Sequence, residues 1–112
     1  MRKANIFLLL GFLLFSVNAF AAGDAVIIEI QKYKFIPDEI TVKVGTTIRW
    51  VNMEKRQYHS VWFRDAGDPV SQYFFPGENF ERTFNEPGDF PYVCEPHEKD
   101  SNMIGMVHVV AE

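Results

Sequence analysis

Beyond Asp24, apolar residues recur with a period of two, the spacing of strands and not of helices. Val26 to Lys32 is rich in β-branched residues. Ile40, Val42 and Val44 alternate with Glu39, Thr41 and Lys43 until Gly45 ends the run. Ile48, Trp50 and Asn52 share one face of the next strand, opposite Arg49 and Val51, and His59, Val61 and Phe63 share a face of another. Asp65 to Glu78 contains two prolines and two glycines and reads as a long surface loop. Phe80 to Phe84 returns to strand. Phe90, Tyr92 and Cys94 line one face, and Gly105, Val107 and Val109 form the last inward face. Seven or eight short strands with almost no helical periodicity predict an all-β chain folded as a two-sheet antiparallel sandwich.

The N-terminus follows a different rule. Arg2 and Lys3 precede an apolar run from Ile6 to Val17, and Ala19-Phe20-Ala21 supplies the small-x-small pattern of a cleavage site. This is the layout of a secretory signal over residues 1–21, too short to span a bilayer comfortably. Cleavage leaves residues 22–112 as a single domain with 9 basic against 15 acidic residues, a net charge of −6. Such an acidic surface argues against nucleic-acid binding, and no second apolar segment or polybasic tail suggests a membrane anchor. The expected product is exported to the periplasm. At this size a multidomain enzyme is excluded.

Exported domains of this length often rely on disulfides, yet the chain has a single cysteine, Cys94, so no internal bridge exists. Thirteen aromatic residues between positions 22 and 112 supply the core area that a crosslink would otherwise replace. A lone thiol outside the reducing cytosol calls for something that shields or occupies it.

The segment from Cys94 to Met106 supplies the occupant. A thiolate (Cys94), an imidazole (His97) and a thioether follow one another on a loop between two strands, and His59 sits far upstream on an inward-facing strand position. Taken singly, each fits a bland role: a core histidine, a loop histidine, apolar filler. Together, two imidazoles, a thiolate and a weak thioether form the ligand set of blue-copper electron-transfer sites, where soft sulfur suits Cu(I) and imidazole suits both oxidation states. Structural zinc sites recruit more thiolates, and thioether is a poor zinc ligand. A cysteine–histidine nucleophile lacks an orienting third group here.

Nearly the whole of residues 22–112 resembles the cupredoxins, in particular the plastocyanin, pseudoazurin and amicyanin branch. The resemblance rests on Phe35 to Gly45, on Ile48-Arg49-Trp50-Val51-Asn52 and on His59-Ser60-Val61. It continues with Thr83 to His97 and Met103 to Val109. Its specific part is the stretch Gly88-x-Phe90-x-Tyr92-x-Cys94-x-Pro96-His97. It implies an eight-stranded Greek-key sandwich carrying one type 1 copper ion on His59, Cys94, His97 and an axial Met103. It also implies a carrier of single electrons between larger redox proteins, not an enzyme. Partners of that kind are c-type cytochromes, dehydrogenases or reductases, met by a monomer that docks transiently near His97.

Two departures stand out. Five residues separate His97 from Met103, more than in similar chains, and Met106, whose strand parity points it outward with His108, is the alternative axial candidate. Ser60 stands where this branch usually has an asparagine that steadies the cysteine loop, which predicts a shifted reduction potential. Glu95, Glu98 and Asp100 flank His97 and form a rim suited to steering a basic partner. Trp62, Phe63, Tyr73, Phe74 and Phe75 cover the core, with a minority left for an apolar docking patch. Copper storage or delivery through the same ligands, and an immunoglobulin-like binding module with a coincidental cluster, stand as alternatives. Slow copper loss with a reversible potential marks the carrier, fast exchange marks the copper handler, and failure to bind copper marks the binding module.

Overall fold

The computed structural model describes residues 25–111, and the expected signal over residues 1–21 lies outside them. Seven strands follow in order: β1 (Val26–Gln31), β2 (Lys34–Ile36), β3 (Glu39–Lys43), β4 (Thr46–Asn52), β5 (Asn79–Phe84), β6 (Gly88–Val93) and β7 (Ile104–Val110). A 3-10 turn over Glu95–His97 and a single helical turn, α1 (Glu98–Ser101), fill the β6–β7 connection. One sheet has the order β2-β1-β4-β5 and the other β3-β7-β6. The all-β sandwich is as the alternation predicts, but the sheets are mixed and not antiparallel throughout. β1 runs parallel to β4, with Ile28 beside Trp50, and β3 runs parallel to β7, with Ile40 beside Val107. Alternation specifies which face a residue occupies and leaves the direction of the neighbouring strand open.

The inward faces meet in a core of Ile28, Ile30, Ile48, Trp50, Val61, Phe63, Phe84, Tyr92 and Val107, each no more than 1% exposed. Trp50 packs edge-on against Phe63 and Tyr92 and donates its indole N–H to Tyr92 Oη at 3.1 Å, so the two largest buried rings share one satisfied polar contact. Tyr92 lies over Gly105 in the β6–β7 ladder, where a Cβ would fall 2.5 Å from its hydroxyl oxygen. Val44, the third member of its alternating set, is 37% exposed because β3 ends one residue earlier at Lys43.

The segment expected as a strand over residues 59–63 keeps its parity and loses its ladder. His59, Val61 and Phe63 are all buried, but only two isolated bridges form, His59 with Phe74 and Trp62 with Val93. The donors between them go elsewhere: Ser60 N–H to Cys94 Sγ at 3.3 Å and Val61 N–H to Ser71 Oγ at 2.9 Å. The segment is thereby spliced between the two sheets at the end of the sandwich where β4 and β6 stop.

On the outer face of the second sheet, His108 of β7 bridges Asp89 of β6 and Glu39 of β3, with Nδ1 2.7 Å and Nε2 2.6 Å from the carboxylate oxygens. Asp89 first and Glu39 second raise its pKa above the ordinary value of 6.5. A raised folded-state pKa contributes stability that is full below the unfolded value and is lost as pH rises through the folded one. Urea titrations are therefore expected to show His108→Gln costing stability at pH 5.5 and little at pH 9; an equal loss at both would remove the charge pairing. Gly105→Ala, which drives a methyl into the Tyr92 ring, is expected to lower stability by about 1–3 kcal/mol in the same assay.

Candidate metal centre

Three chain segments converge at one end of the sandwich. β6 delivers Cys94 at its C-terminus, the turn after it delivers His97, and the spliced segment delivers His59. One ligand atom from each lies within 4.8 Å of the others. His59 Nδ1 stands 3.6 Å from Cys94 Sγ, and His97 Nδ1 stands 3.4 Å from it. His59 and Cys94 are fully buried and His97 is half-buried. Met103, 1% exposed, packs in the same core cluster as Cys94, and its carbonyl accepts the Cys94 N–H at 3.0 Å. Met106 instead lines a groove on the outer face with Asp38, Glu39 and Pro91, the side its strand parity predicts.

The cluster is held by bonds made outside it. Cys94 Sγ accepts the Ser60 N–H, and Ser60 Oγ in turn accepts the Glu95 N–H at 3.0 Å. The shorter serine thus ties the cysteine loop to the His59 segment. Below His59, Glu54 Oε2 lies 3.0 Å from Nε2 and also accepts the Tyr33 N–H at 2.8 Å. A carboxylate at that distance takes a proton on Nε2, which leaves the Nδ1 lone pair aimed at the sulfur. Glu54 is positioned by Asn52, whose Oδ1 accepts the Glu54 N–H while its Nδ2 donates to the Gln57 and Phe74 carbonyls. The alternation had already put Asn52 among Ile48 and Trp50, and a polar side chain on an apolar face was the available sign of this scaffold. Nothing in the sequence marked Glu54 itself.

Burial pushes the Cys94 thiol up, against the pull of the Ser60 amide. Burial lowers His59 despite Glu54, and lowers His97. Both rings are therefore neutral donors at pH 7, and a soft sulfur between two imidazole nitrogens in a dry pocket fits a copper ion. Aromatic rings surround the histidines. Tyr33 is edge-on to His59 and His97, with centroids 5.7 and 4.8 Å away, and Tyr58 stacks on His97. Tyr58 also stacks on Tyr73 at 4.7 Å, and Tyr73 and Phe75 are the exposed members of the aromatic loop, while Phe63 and Phe74 are buried. Of the rim carboxylates, Glu95 accepts the Tyr73 hydroxyl and Glu98 forms a two-pronged pair with Arg64.

Residues 22–110 match the family described as copper binding proteins, plastocyanin/azurin family. The chain belongs to that family. This cupredoxin is 39% identical to the amicyanin of Paracoccus versutus over 81 residues, covering 67% of this chain and 59% of the relative. It is 32% identical to the amicyanin of Paracoccus denitrificans (73% and 68% covered) and 31% identical to the chloroplastic plastocyanin of Tetradesmus obliquus (67% and 57% covered). The cupredoxin chain thus spans roughly three fifths of the length of several relatives. The crystal structure of Paracoccus versutus amicyanin superposes with a TM-score of 0.68 at 34% identity, covering 78% of this chain and 82% of that one. The Cu-containing nitrite reductase of Thermus scotoductus SA-01 gives 0.70 at 25% identity, covering 80% of this chain but 23% of the reductase. The His–Cys–His site of this cupredoxin fits one type 1 copper ion.

Removing the Glu54 carboxylate strands the buried His59 N–H. Glu54→Ala is expected to destabilise the metal-free protein by about 1–3 kcal/mol in urea, with most of the loss restored in Glu54→Gln, whose amide oxygen still accepts. Equal losses in the two variants would mean that the charge, and not the acceptor, matters.

Proposed function

We propose that this protein, exported to the periplasm after removal of residues 1–21, is a one-electron carrier built on a type 1 copper site. The supporting observation is the buried Cys94 sulfur with the Nδ1 atoms of His59 and His97 turned toward it at 3.6 and 3.4 Å. His59, Cys94 and His97 would hold the ion, with the Met103 thioether, from the same core cluster, as a weaker fourth ligand. A copper ion held there supplies a Cu(I)/Cu(II) couple.

The chain's own groups do the rest. The Ser60 amide holds the sulfur, Glu54 fixes one imidazole, and the apolar packing around Cys94 excludes water, so the ligand atoms keep their places through a change of charge. His97 alone of the three is partly open to solvent, and its edge is the exit for an electron toward a c-type cytochrome, dehydrogenase or reductase. The reading is of a carrier and not an enzyme. The relatives over most of this chain are named amicyanin and plastocyanin, and the nitrite reductase match takes in less than a quarter of that enzyme.

The protein loaded with Cu(II) is expected to show an intense thiolate-to-copper band and narrow EPR hyperfine splitting, both lost in Cys94→Ser. A pale spectrum indifferent to that substitution would end the carrier reading. Met103→Leu is expected to keep the band and raise the reduction potential, whereas Met106→Leu leaves both unchanged. Rapid loss of copper to a chelator would favour storage or delivery instead.

A further inference from the structure

The cations of this acidic protein are unevenly spent. Arg49, Arg64 and Arg82 are paired with Glu81, Glu98 and Asp68. Among the described residues, no carboxylate comes within ion-pair distance of Lys32, Lys34, Lys55 or Arg56. All four are exposed, Lys32 on the β1–β2 turn, Lys34 at the start of β2, and Lys55 and Arg56 on the loop after β4. Lys32, Lys55 and Arg56 line a groove of about 520 Å³ together with Met53, which is 49% exposed. The one carboxylate lining that groove, Glu54, spends its Oε2 on the Tyr33 N–H and His59 Nε2.

The backbone presents this face at a cost. Lys32 and Tyr33 form the turn between β1 and β2 with φ of 51° and 60°, a left-handed pair for which glycine or asparagine is the usual choice. The turn sets the two lysines outside and the Tyr33 ring inside, edge-on to both imidazoles. On the rim around His97, the Glu98 charge is offset by Arg64, while Glu95, bonded to the neutral Tyr73 hydroxyl, and Asp100 keep theirs.

We propose that Lys32, Lys55 and Arg56, arranged around Met53, with Lys34 beside them on β2, form the docking surface for the acidic face of a redox-partner protein, which comes to rest on the turn that carries Tyr33. The inference rests on the electron-carrier reading and gives it a partner of stated charge. It replaces the basic partner suggested by the sequence. Lysine stems and an exposed thioether suit a broad protein contact, and the groove lacks the buried, aimed polar group of a small-anion site. Local charge of this kind steers encounter even when the net charge has the opposite sign.

The probe is hexacyanochromate(III), a paramagnetic trianion, titrated at low ionic strength into isotope-labelled protein, both metal-free and copper-loaded. Amides of residues 31–34 and 53–57 are expected to broaden first. Lys32→Glu/Lys55→Glu/Arg56→Glu abolishes that broadening, and Lys43→Glu/Lys99→Glu leaves it. In stopped flow, hexacyanoferrate(III) takes one electron from the reduced copper protein and becomes hexacyanoferrate(II). The wild-type rate is expected to fall with added salt, and the triple variant to react about tenfold or more slower. Broadening centred elsewhere, or a triple variant no slower than the Lys43/Lys99 control, overturns the proposal. An unchanged broadening map on a protein without the blue band supports the docking face while removing the carrier reading. Cosedimentation with phosphatidylglycerol vesicles, lost in the triple variant, would overturn the proposal in favour of a lipid surface.

Discussion

The hydrogen bond from the Ser60 amide to Cys94 Sγ joins two stretches of chain where the metal ligands leave them. One stretch is the end of β6 and the loop after it; the other is the spliced segment that has left both sheets. Together with its companion from the Glu95 amide to Ser60 Oγ and the paired Trp62–Val93 backbone bonds, this bond sets where His59 stands relative to the sulfur. Ser60 is fully buried, so both contacts lie where water cannot substitute for them. The same bond explains the broken ladder. An amide given to sulfur is unavailable to a strand, and the fold gives up regular pairing there to hold the cluster.

Much of the fold was legible in the sequence because burial in a sandwich depends on parity, and parity is written residue by residue. Ile28, Ile48, Trp50, Tyr92 and Val107 all face the core as the alternation requires. The parallel pairing of β1 with β4 and β3 with β7 was not legible, since the same alternation serves either direction. His59, Cys94 and His97 could be singled out by chemistry, for few other reasons put a thiol and two imidazoles in so small an apolar chain. Glu54 could not. Its carboxylate is ordinary in sequence, and its place under His59 depends on a loop in which the Asn52 side chain donates two hydrogen bonds and accepts one.

A centre of this type asks for ligands that stay put, and the chain meets that demand without a crosslink. Trp50 packs edge to face with Phe63 and Tyr92 in the core, and the Trp50–Tyr92 hydrogen bond leaves no polar atom of either ring unsatisfied. The Ser60 hydroxyl draws the Glu95 amide close to the sulfur's own segment. The rigid side of the site is therefore the side of His59 and Cys94. His97 sits on a short turn, and aromatic rings on both flanks take over the job of holding it.

The connection between β6 and β7 is closed at its neck by the bond from the Cys94 amide to the Met103 carbonyl. Past that point the ladder runs in strict register from Val93 and Ile104 onward. Everything between, including α1 and the left-handed Asn102 that ends it, lies outside the ladder and is pinned to neighbouring loops at Ser60, Tyr73 and Arg64. Residues added or removed between α1 and Met103 leave the sandwich's register untouched, because the neck and the ladder lie on either side of them. The five residues between His97 and Met103 are thus a local choice about one side of the metal pocket, made without renegotiating the fold that carries it.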